Sequence, residues 1–300
     1  MAQQASMGVL KLLEGDGDDD ASLHYRLPWA TAQVLANPDS KDYDIAMIQL
    51  VPSLVNRAKT MLPEAFATGI GRPYDEPEVA EAIDRQHSRH VRDVFIPELL
   101  PTVLDGKTLQ MLDQGCIVAD LGCGAGVMLV GLAKAFPNSI FHGFEISTVA
   151  LEKAAHNLAK AKLRNVYLHD ANIAGENLKD HVGRYDLVVV FDVLHDSSNP
   201  MDLIKQVKLA LKPETGIWLL ADIPGAPTVR ENLSQLPTAA TYFAISTCLC
   251  MSCALSDKDG AGLGTLGFSI PVAEKMLKEG GFKHVQVLME KDNARWFLVK

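Results

Sequence analysis

An α/β fold with a mostly parallel sheet is what this 300-residue sequence predicts, and three observations carry it. From residue 115 onward, short apolar strands alternate with amphipathic helices, and strands that are apolar throughout belong to a parallel sheet covered on both faces. The last two strands, "KHVQVLME" and "ARWFLVK", are separated only by "KDN". They must pair antiparallel and close the sheet as a hairpin. Between the first strand and the first helix of this region lies the bare loop of "VADLGCGAG".

The elements follow in order. "CIVADL" is a strand, "VMLVGLAKAF" a helix stopped by Pro137, and "IFHGFEI" the next strand. Ser147 caps "TVALEKAAHNLAKAKL", in which Leu151, Ala154, Ala155 and Leu158 share one face. "NVYLHD" and "YDLVVVFD" are strands, "MDLIKQVKLAL" a helix and "GIWLLAD" a strand, which brings the sheet to seven. After Ile223 the alternation breaks for about 45 residues, and an excursion that long usually serves a ligand as a lid. The helix "PVAEKMLKEG" returns the chain to the terminal hairpin.

Upstream, "GVLKLLEGDGDDDASLHYRLP" has the pattern of a hairpin with a long charged tip. From Trp29 the spacing turns helical in "YDIAMIQLVPSLVNRAKTMLPEAF" and "PEVAEAIDRQHSRHVRDVFIPELL", with "TGIGRPYDEP" as a break between them. The expected organisation is a hairpin over 1–28, a helical substrate cap over 29–110 and an α/β domain over 111–300 with a lid at 224–268.

At 48% hydrophobic residues the chain can bury a large core. Its formal charge of -9 argues against a nucleic-acid partner, which would be met by a basic face. No basic and apolar leader and no apolar run of membrane-spanning length is present, so no membrane partner and a cytoplasmic location are expected. An odd count of five cysteines, Cys116, Cys123, Cys248, Cys250 and Cys253, suits a reducing compartment.

Gly122, Gly124 and Gly126 allow close backbone approach of a ligand at a helix N-terminus. A dinucleotide fingerprint would carry its third glycine at position 127, where this chain has Val127, and an acid before the turn suits a pyrophosphate poorly. That acid is Asp120. Glu145, ending the second strand, can accept both hydroxyls of a ribose, and Asp170 can reach an adenine amino group, with Asn172 and Asp192 as alternatives. Carboxylates in these positions suit a cofactor with a ribose, an adenine and a cationic amino-acid end. S-adenosylmethionine has all three. Ile146, Ala171, Phe191 and Asp192, beside the same strand ends, are assigned to the same pocket.

"VADLGCGAG", "GFEIS", "HDANI" and "YDLVVVFDVLHD" resemble, in order and spacing, the successive motifs of class I S-adenosylmethionine-dependent methyltransferases. The resemblance spans about 115 to 300 and implies a Rossmann-like seven-stranded methyltransferase sheet, with S-adenosylhomocysteine as product. "YRLPWATAQVL", "TGIGRPY" and "GLGTLGFS" resemble the small-molecule subgroup with an N-terminal winged helix. Only the wing hairpin is expected to remain here, which leaves a homodimer open. The subgroup resemblance implies that Tyr74 closes over the methionine end of the cofactor; a packed turn tyrosine is the alternative.

His195 and Asp196, in "FDVLHD", follow the fourth strand. A hydroxyl acceptor must lose a proton, and histidine is poised for that near neutral pH. Plant-type O-methyltransferases resemble this chain in that pair and use the histidine as base, although Ser197 stands where they carry Trp. The alternative role for His195 is a loop hydrogen bond and helix cap. No metal site is expected: His87 and His90, three apart, suggest a solvated face or a pocket wall. Cys248, Cys250 and Cys253 suggest buried free thiols, with a sulfur or metalloid acceptor as the rival chemistry. A non-catalytic cofactor-binding regulator is the rival of another class.

Overall fold

The computed structural model describes residues 1–13, 23–37, 40 and 42–300. The charged hairpin tip expected over residues 14–22 lies outside the described residues. The chain divides into two compact units, Met1–Gln49 and Leu50–Lys300. The first contains the hairpin, β1 (Lys11–Leu13) and β2 (His24–Arg26), paired antiparallel with Leu12 opposite Tyr25, and a helix over Trp29–Leu35.

The second unit holds the seven-stranded sheet: β3 (Ile117–Leu121), β4 (Ile140–Glu145), β5 (Val166–Asp170), β6 (Leu187–Phe191), β7 (Ile217–Asp222), β8 (Val285–Lys291) and β9 (Ala294–Val299). Their order is β5-β4-β3-β6-β7-β9-β8. The first five are parallel, and β9 pairs antiparallel with both β7 and β8. The expected α/β sheet and its closing hairpin are both present. Asp292 and Asn293 turn that hairpin with φ of 50° and 61°, the left-handed pair a two-residue turn needs.

Alternation along each central strand separates two cores. Val118, Leu187, Val189, Leu219 and Trp296 face one side, with Leu129, Leu132, Phe95 and Leu99 against them. Ala119, Val188, Val190, Trp218 and Phe297 face the other, covered by Ile204, Val207, Ala273 and Leu277. Burial on both faces is why these strands are apolar almost throughout, with Asp120, Asp222 and Arg295 as the exceptions. Strand order reverses between β3 and β6, and the crevice at their C-terminal ends is where such sheets bind ligands.

Two departures from the expected elements have local causes. The run beginning at Pro77 is α-helical to His90, π-helical over Val91–Leu99 and 3-10 over Leu100–Gly106. Pro97 lacks the N–H that an α-helix would bond to Asp93, and Pro101 follows. The 224–268 excursion is mostly helical, with helices at Val229–Gln235, Ala239–Cys248 and Cys250–Ala254. Its end is tied to the loop after β6, because Gly264 N–H donates to His195 O and Ala261 N–H to Ser198 O. Ser147 caps its helix as expected, accepting from Ala150 N–H at 3.0 Å. Among the described residues no helix is long and apolar enough to cross a membrane.

His90 and His142 are each 4% exposed, and burial pushes each imidazole down to about 4. A base lowered in the folded state is neutral there and charged in the unfolded chain between about pH 6.5 and 4, so its stabilising effect is present above 6.5 and lost on acidification through that window. Urea unfolding at pH 7 and pH 5 should show a loss on the order of 2 kcal/mol per histidine. The His142→Phe variant should flatten this dependence; an unchanged slope would refute the assignment.

Candidate functional site

The glycine loop begins where β3 ends. Gly122 and Cys123 N–H both donate to Phe144 O, at 2.8 and 3.1 Å, which folds the chain back over the C-terminal end of β4. Gly122 sits at φ 72°, and a Cβ there would lie 2.5 Å from Val193 Cγ2. Gly124, at φ 52°, donates its N–H to Glu145 Oε2 at 2.9 Å, and a Cβ there would meet open space. The loop is bare at Gly122 for packing and at Gly124 for its backbone turn. Gly126 leads into the helix Val127–Ala135.

Asp120 is 2% exposed, and its Oδ2 has no hydrogen-bond partner. Burial and the neighbouring Glu145 push its carboxyl up to about 8. Glu145 is well supplied: Oε1 accepts from Ile146 and Ser147 N–H, Oε2 from Gly124. Asp170 Oδ1 accepts from the backbone and side chain of Asn172, whose Nδ2 also donates to Ile146 O. Ala171 N–H donates to Glu145 O. Asp170 therefore forms a turn as well as standing at a strand end, and Asn172 bridges the β4 and β5 ends. Ile146 is 67% exposed beside them.

The second half of the site follows β6. Asp192 is at φ 63°, with Oδ2 3.2 Å from His87 Nε2. His195, 2% exposed, has Nδ1 2.8 Å from Asp222 Oδ1 and 3.4 Å from Asp192 Oδ1. Burial alone would lower His195, but Asp222, Cys250 and Asp192 raise it well above its usual value. Burial likewise opposes ionisation of Asp192, and His195 and His87 more than offset it, holding that carboxyl below the usual range. Asp196 is pushed by burial up to about 6 and accepts a hydrogen bond from the Tyr74 hydroxyl. Tyr74 thus reaches the residue after His195.

Asp222 was not anticipated as a site residue, although it ends an apolar strand as Asp120 nearly does. Its carboxylate accepts from Ile223 N–H and His195 N–H at 2.7 and 3.2 Å. His87 stacks on Phe191, with ring centroids 4.2 Å apart, so its face is a wall of the site and not a solvated surface. His90 turns elsewhere and accepts the Trp296 indole N–H at 2.9 Å. The cysteines do not share one helix: the chain breaks at Leu249 (φ −120°, ψ −83°), leaving Cys248 buried and Cys250 and Cys253 half-buried. Those two lie within electrostatic reach of Tyr74, and Cys253 within reach of Asp196.

An acid raised in the folded state costs stability wherever the unfolded chain has ionised it; for Asp120 the cost starts above about pH 4, grows to about pH 8 and stays full beyond. Asp120→Asn removes that cost. Thermal unfolding at pH 7 should show the variant more stable by roughly 1–3 kcal/mol; an unchanged or lowered midpoint would contradict the buried, protonated carboxyl.

The sequence family described as "Methyltransferase domain" matches residues 112–265. A release factor glutamine methyltransferase from Thermosynechococcus vestitus is 33% identical over 128 residues, 41% of this chain and 40% of its own. The mitochondrial ubiquinone biosynthesis O-methyltransferase of Saccharomyces cerevisiae is 24% identical over 169 residues, 56% and 48% of the two chains. This chain spans about half the length, or less, of the curated relatives it matches. Among solved structures, human N-acetylserotonin methyltransferase, in complex with S-adenosylmethionine, aligns with a TM-score of 0.67 at 17% identity, covering 100% of this chain and 81% of its own. An O-methyltransferase family protein from Burkholderia thailandensis aligns with a TM-score of 0.67 at 14% identity and the same coverage. A motif-bearing sheet of this order and a family match over half its length establish that the chain belongs to the methyltransferase-domain family, whose class I members use S-adenosylmethionine.

Proposed function

We propose that the protein transfers the methyl group of S-adenosylmethionine to a hydroxyl of a small-molecule acceptor, with His195 as the base. The observation that carries this is one buried imidazole at the C-terminal end of β6, flanked by Asp192 and Asp222. The cofactor fits the residues present. Asp120 Oδ2, buried and unpartnered, suits its cationic amino-acid end; Glu145 and Asp170 at adjacent strand ends suit the ribose and adenine; and the open space at Gly124 admits a close ligand. Ile146, Ala171 and Phe191 would supply apolar contact. When bound, S-adenosylmethionine supplies an electrophilic methyl on a sulfonium.

The reaction then needs alignment, exclusion of water and a proton acceptor. With the cofactor held by these residues, the acceptor oxygen would bond to the methyl carbon as the carbon–sulfur bond broke, with a neutral thioether as the leaving group. The hydroxyl proton passes to His195 Nε2, while Asp222 and Asp192 near Nδ1 stabilise the imidazolium. Tyr74 holds Asp196, so the loop carrying His195 is steadied from the cap. A small acceptor is supported by three of the similar proteins, human N-acetylserotonin methyltransferase, a mitomycin 7-O-methyltransferase and the yeast ubiquinone biosynthesis O-methyltransferase. Other relatives are ribosomal RNA and release factor methyltransferases; the net charge of -9 argues against RNA as the acceptor here.

Transfer of labelled methyl from S-adenosylmethionine into a metabolite extract tests the reading. His195→Gln should lower turnover by roughly 10²–10⁴-fold with cofactor affinity nearly unchanged. Because the base must be unprotonated and its neighbours raise His195, the rate should rise with pH on the alkaline side of 6.5. A variant with full turnover would remove His195 as base, and no cofactor binding at all would sink the whole reading.

A second reading, methyl transfer to sulfur or a metalloid, is favoured by one observation: Cys250 lies within electrostatic reach of both Tyr74 and His195. The Cys250→Ser, Cys253→Ser double variant discriminates. Lost turnover with retained cofactor binding supports a thiol role, and unchanged turnover supports the hydroxyl acceptor.

A further inference from the structure

A line of hydrogen bonds runs behind the β5 end of the site, on the sheet face opposite Asp170. His142 on β4 and His169 on β5 share that face with Phe144, and His142 Nδ1 meets His169 Nε2 at 2.9 Å. At one end Arg184 Nη2 lies 3.3 Å from His142 Nε2; at the other, His169 Nδ1 meets the Glu176 carboxylate. The two ends fix the role of every nitrogen between them. A guanidinium only donates and a carboxylate only accepts, so His142 Nε2 accepts, its Nδ1–H donates to His169 Nε2, and His169 Nδ1–H donates to Glu176. Both rings are then neutral and fully bonded. Burial, with Arg184 and the neighbouring histidines, pushes His142 down to about 4, which agrees with a neutral ring.

The line ends on a loop that borders the site. Glu176 belongs to the segment 171–177 that follows β5, whose first residues stand beside Glu145: Ala171 N–H donates to Glu145 O, and Asn172 Nδ2 donates to both Asp170 Oδ1 and Ile146 O. The loop is closed on itself, because Asn177 Nδ2 donates to Ala171 O at 2.6 Å and Glu176 N–H to Ile173 O at 3.1 Å. Residues 172–175 are exposed, so packing gives the loop little hold there. A charge-assisted bond from the sheet face to Glu176 supplies a fixed point. His169 is itself held by stacking on Phe144, with ring centroids 4.6 Å apart. Arg184 adds to this, since donation into His142 polarises each N–H along the line in the same direction, toward Glu176.

We infer that the line Arg184–His142–His169–Glu176 positions loop 171–177 against the adenine end of the cofactor, which makes His169 and Glu176 positioning residues for base recognition. His169 points away from Asp170, so the pair acts through the loop and not by contact with the base. The inference rests on the assignment of Asp170 to the adenine amino group. A carboxylate only accepts, so Asp170 favours adenine over hypoxanthine, which carries a carbonyl where adenine has its amino group. How strongly it does so depends on where the loop holds Asp170 and Asn172.

Calorimetric titration of the full chain with S-adenosylhomocysteine and with its hypoxanthine analogue, S-inosylhomocysteine, tests this. The wild type should prefer the adenine compound. Glu176→Ala and His169→Phe should each weaken its binding roughly 10-fold, the scale of one charge-assisted hydrogen bond, and shrink the preference. Glu176→Gln keeps an acceptor for the His169 N–H and should recover most of both. Arg184→Met, at the exposed end of the line, should weaken binding about threefold, and not at all in the Glu176→Ala background, because its effect travels through Glu176. It takes the place of His169→Phe if that variant fails to fold by circular dichroism. Unchanged affinity in Glu176→Ala overturns the positioning role, as does weaker affinity with the wild-type preference, or an Arg184→Met effect that simply adds to that of Glu176→Ala. Asp170→Asn separates this from the site assignment: an amide both accepts and donates, so the preference should vanish. If it persists there, or is absent from the wild type, the adenine assignment fails and the inference with it. If it vanishes in Asp170→Asn and persists in Glu176→Ala, the positioning role alone fails.

Discussion

The closure of this site depends on one buried guanidinium. Arg57 is 3% exposed, and its Nε donates to Cys248 O, Nη2 to Arg72 O, and Nη1 to Pro73 O and Glu76. A charge so buried is tolerable only because a carboxylate and three carbonyls answer it, and the planar fork of arginine meets them at once where an ammonium would not. Through these contacts the loop that carries Tyr74 and the lid that carries the cysteines are held to the same helix. Backbone bonds from Gly264 to His195 and from Ala261 to Ser198 then fasten the lid to the loop after β6. These segments are far apart in sequence, and Arg57 joins them together with Ser252 Oγ, which donates to Arg72 O, and Gly71 N–H, which donates to Leu255 O.

Inside those walls the electrostatics are lopsided. Asp120, Asp192, Asp196 and Asp222 are all near strand ends, and their environments drive them apart: Asp120 up to about 8, Asp196 up to about 6, Asp192 below the ordinary range. The differences follow from partners. Asp192 has two imidazoles, Asp196 has a tyrosine hydroxyl, and Asp120 has only another acid. A cation arriving beside Asp120, such as the amino end of the proposed cofactor, would favour its ionised form and offset the burial that now opposes it. Keeping titratable groups in such different states is how a site assigns acid and base roles at one pH.

Much of this was legible from the chain alone because the relevant physics is local. A strand buried on both faces is apolar along nearly its whole length, so β3, β6 and β7 declare themselves, and the acids Asp120 and Asp222 stand out near the ends of β3 and β7. Helix capping by Ser147 and the antiparallel return of the last two strands follow from spacing. Asp120, Glu145, Asp170, Asp192 and His195 could be nominated from the chain because a parallel sheet binds ligands at strand C-termini, a rule that needs only strand boundaries.

The partners of those residues were decided by tertiary structure. Nothing within a few residues of His195 indicates that Asp222 will stand 2.8 Å from its ring, because β6 and β7 become neighbours only through the sheet. His87 has the pattern of a solvated helical face, and only docking of that helix over Phe191 turns it to Asp192. Cys248 and Cys250 have different surroundings because the chain breaks at Leu249, in a run with no glycine or proline to announce it. Periodicity and turn spacing thus determined the strands, the helices between them and the closing hairpin, while strand-end rules only nominated residues for the site. Which charges meet across that site is a long-range matter, set by packing between elements whose sequences carry no record of one another.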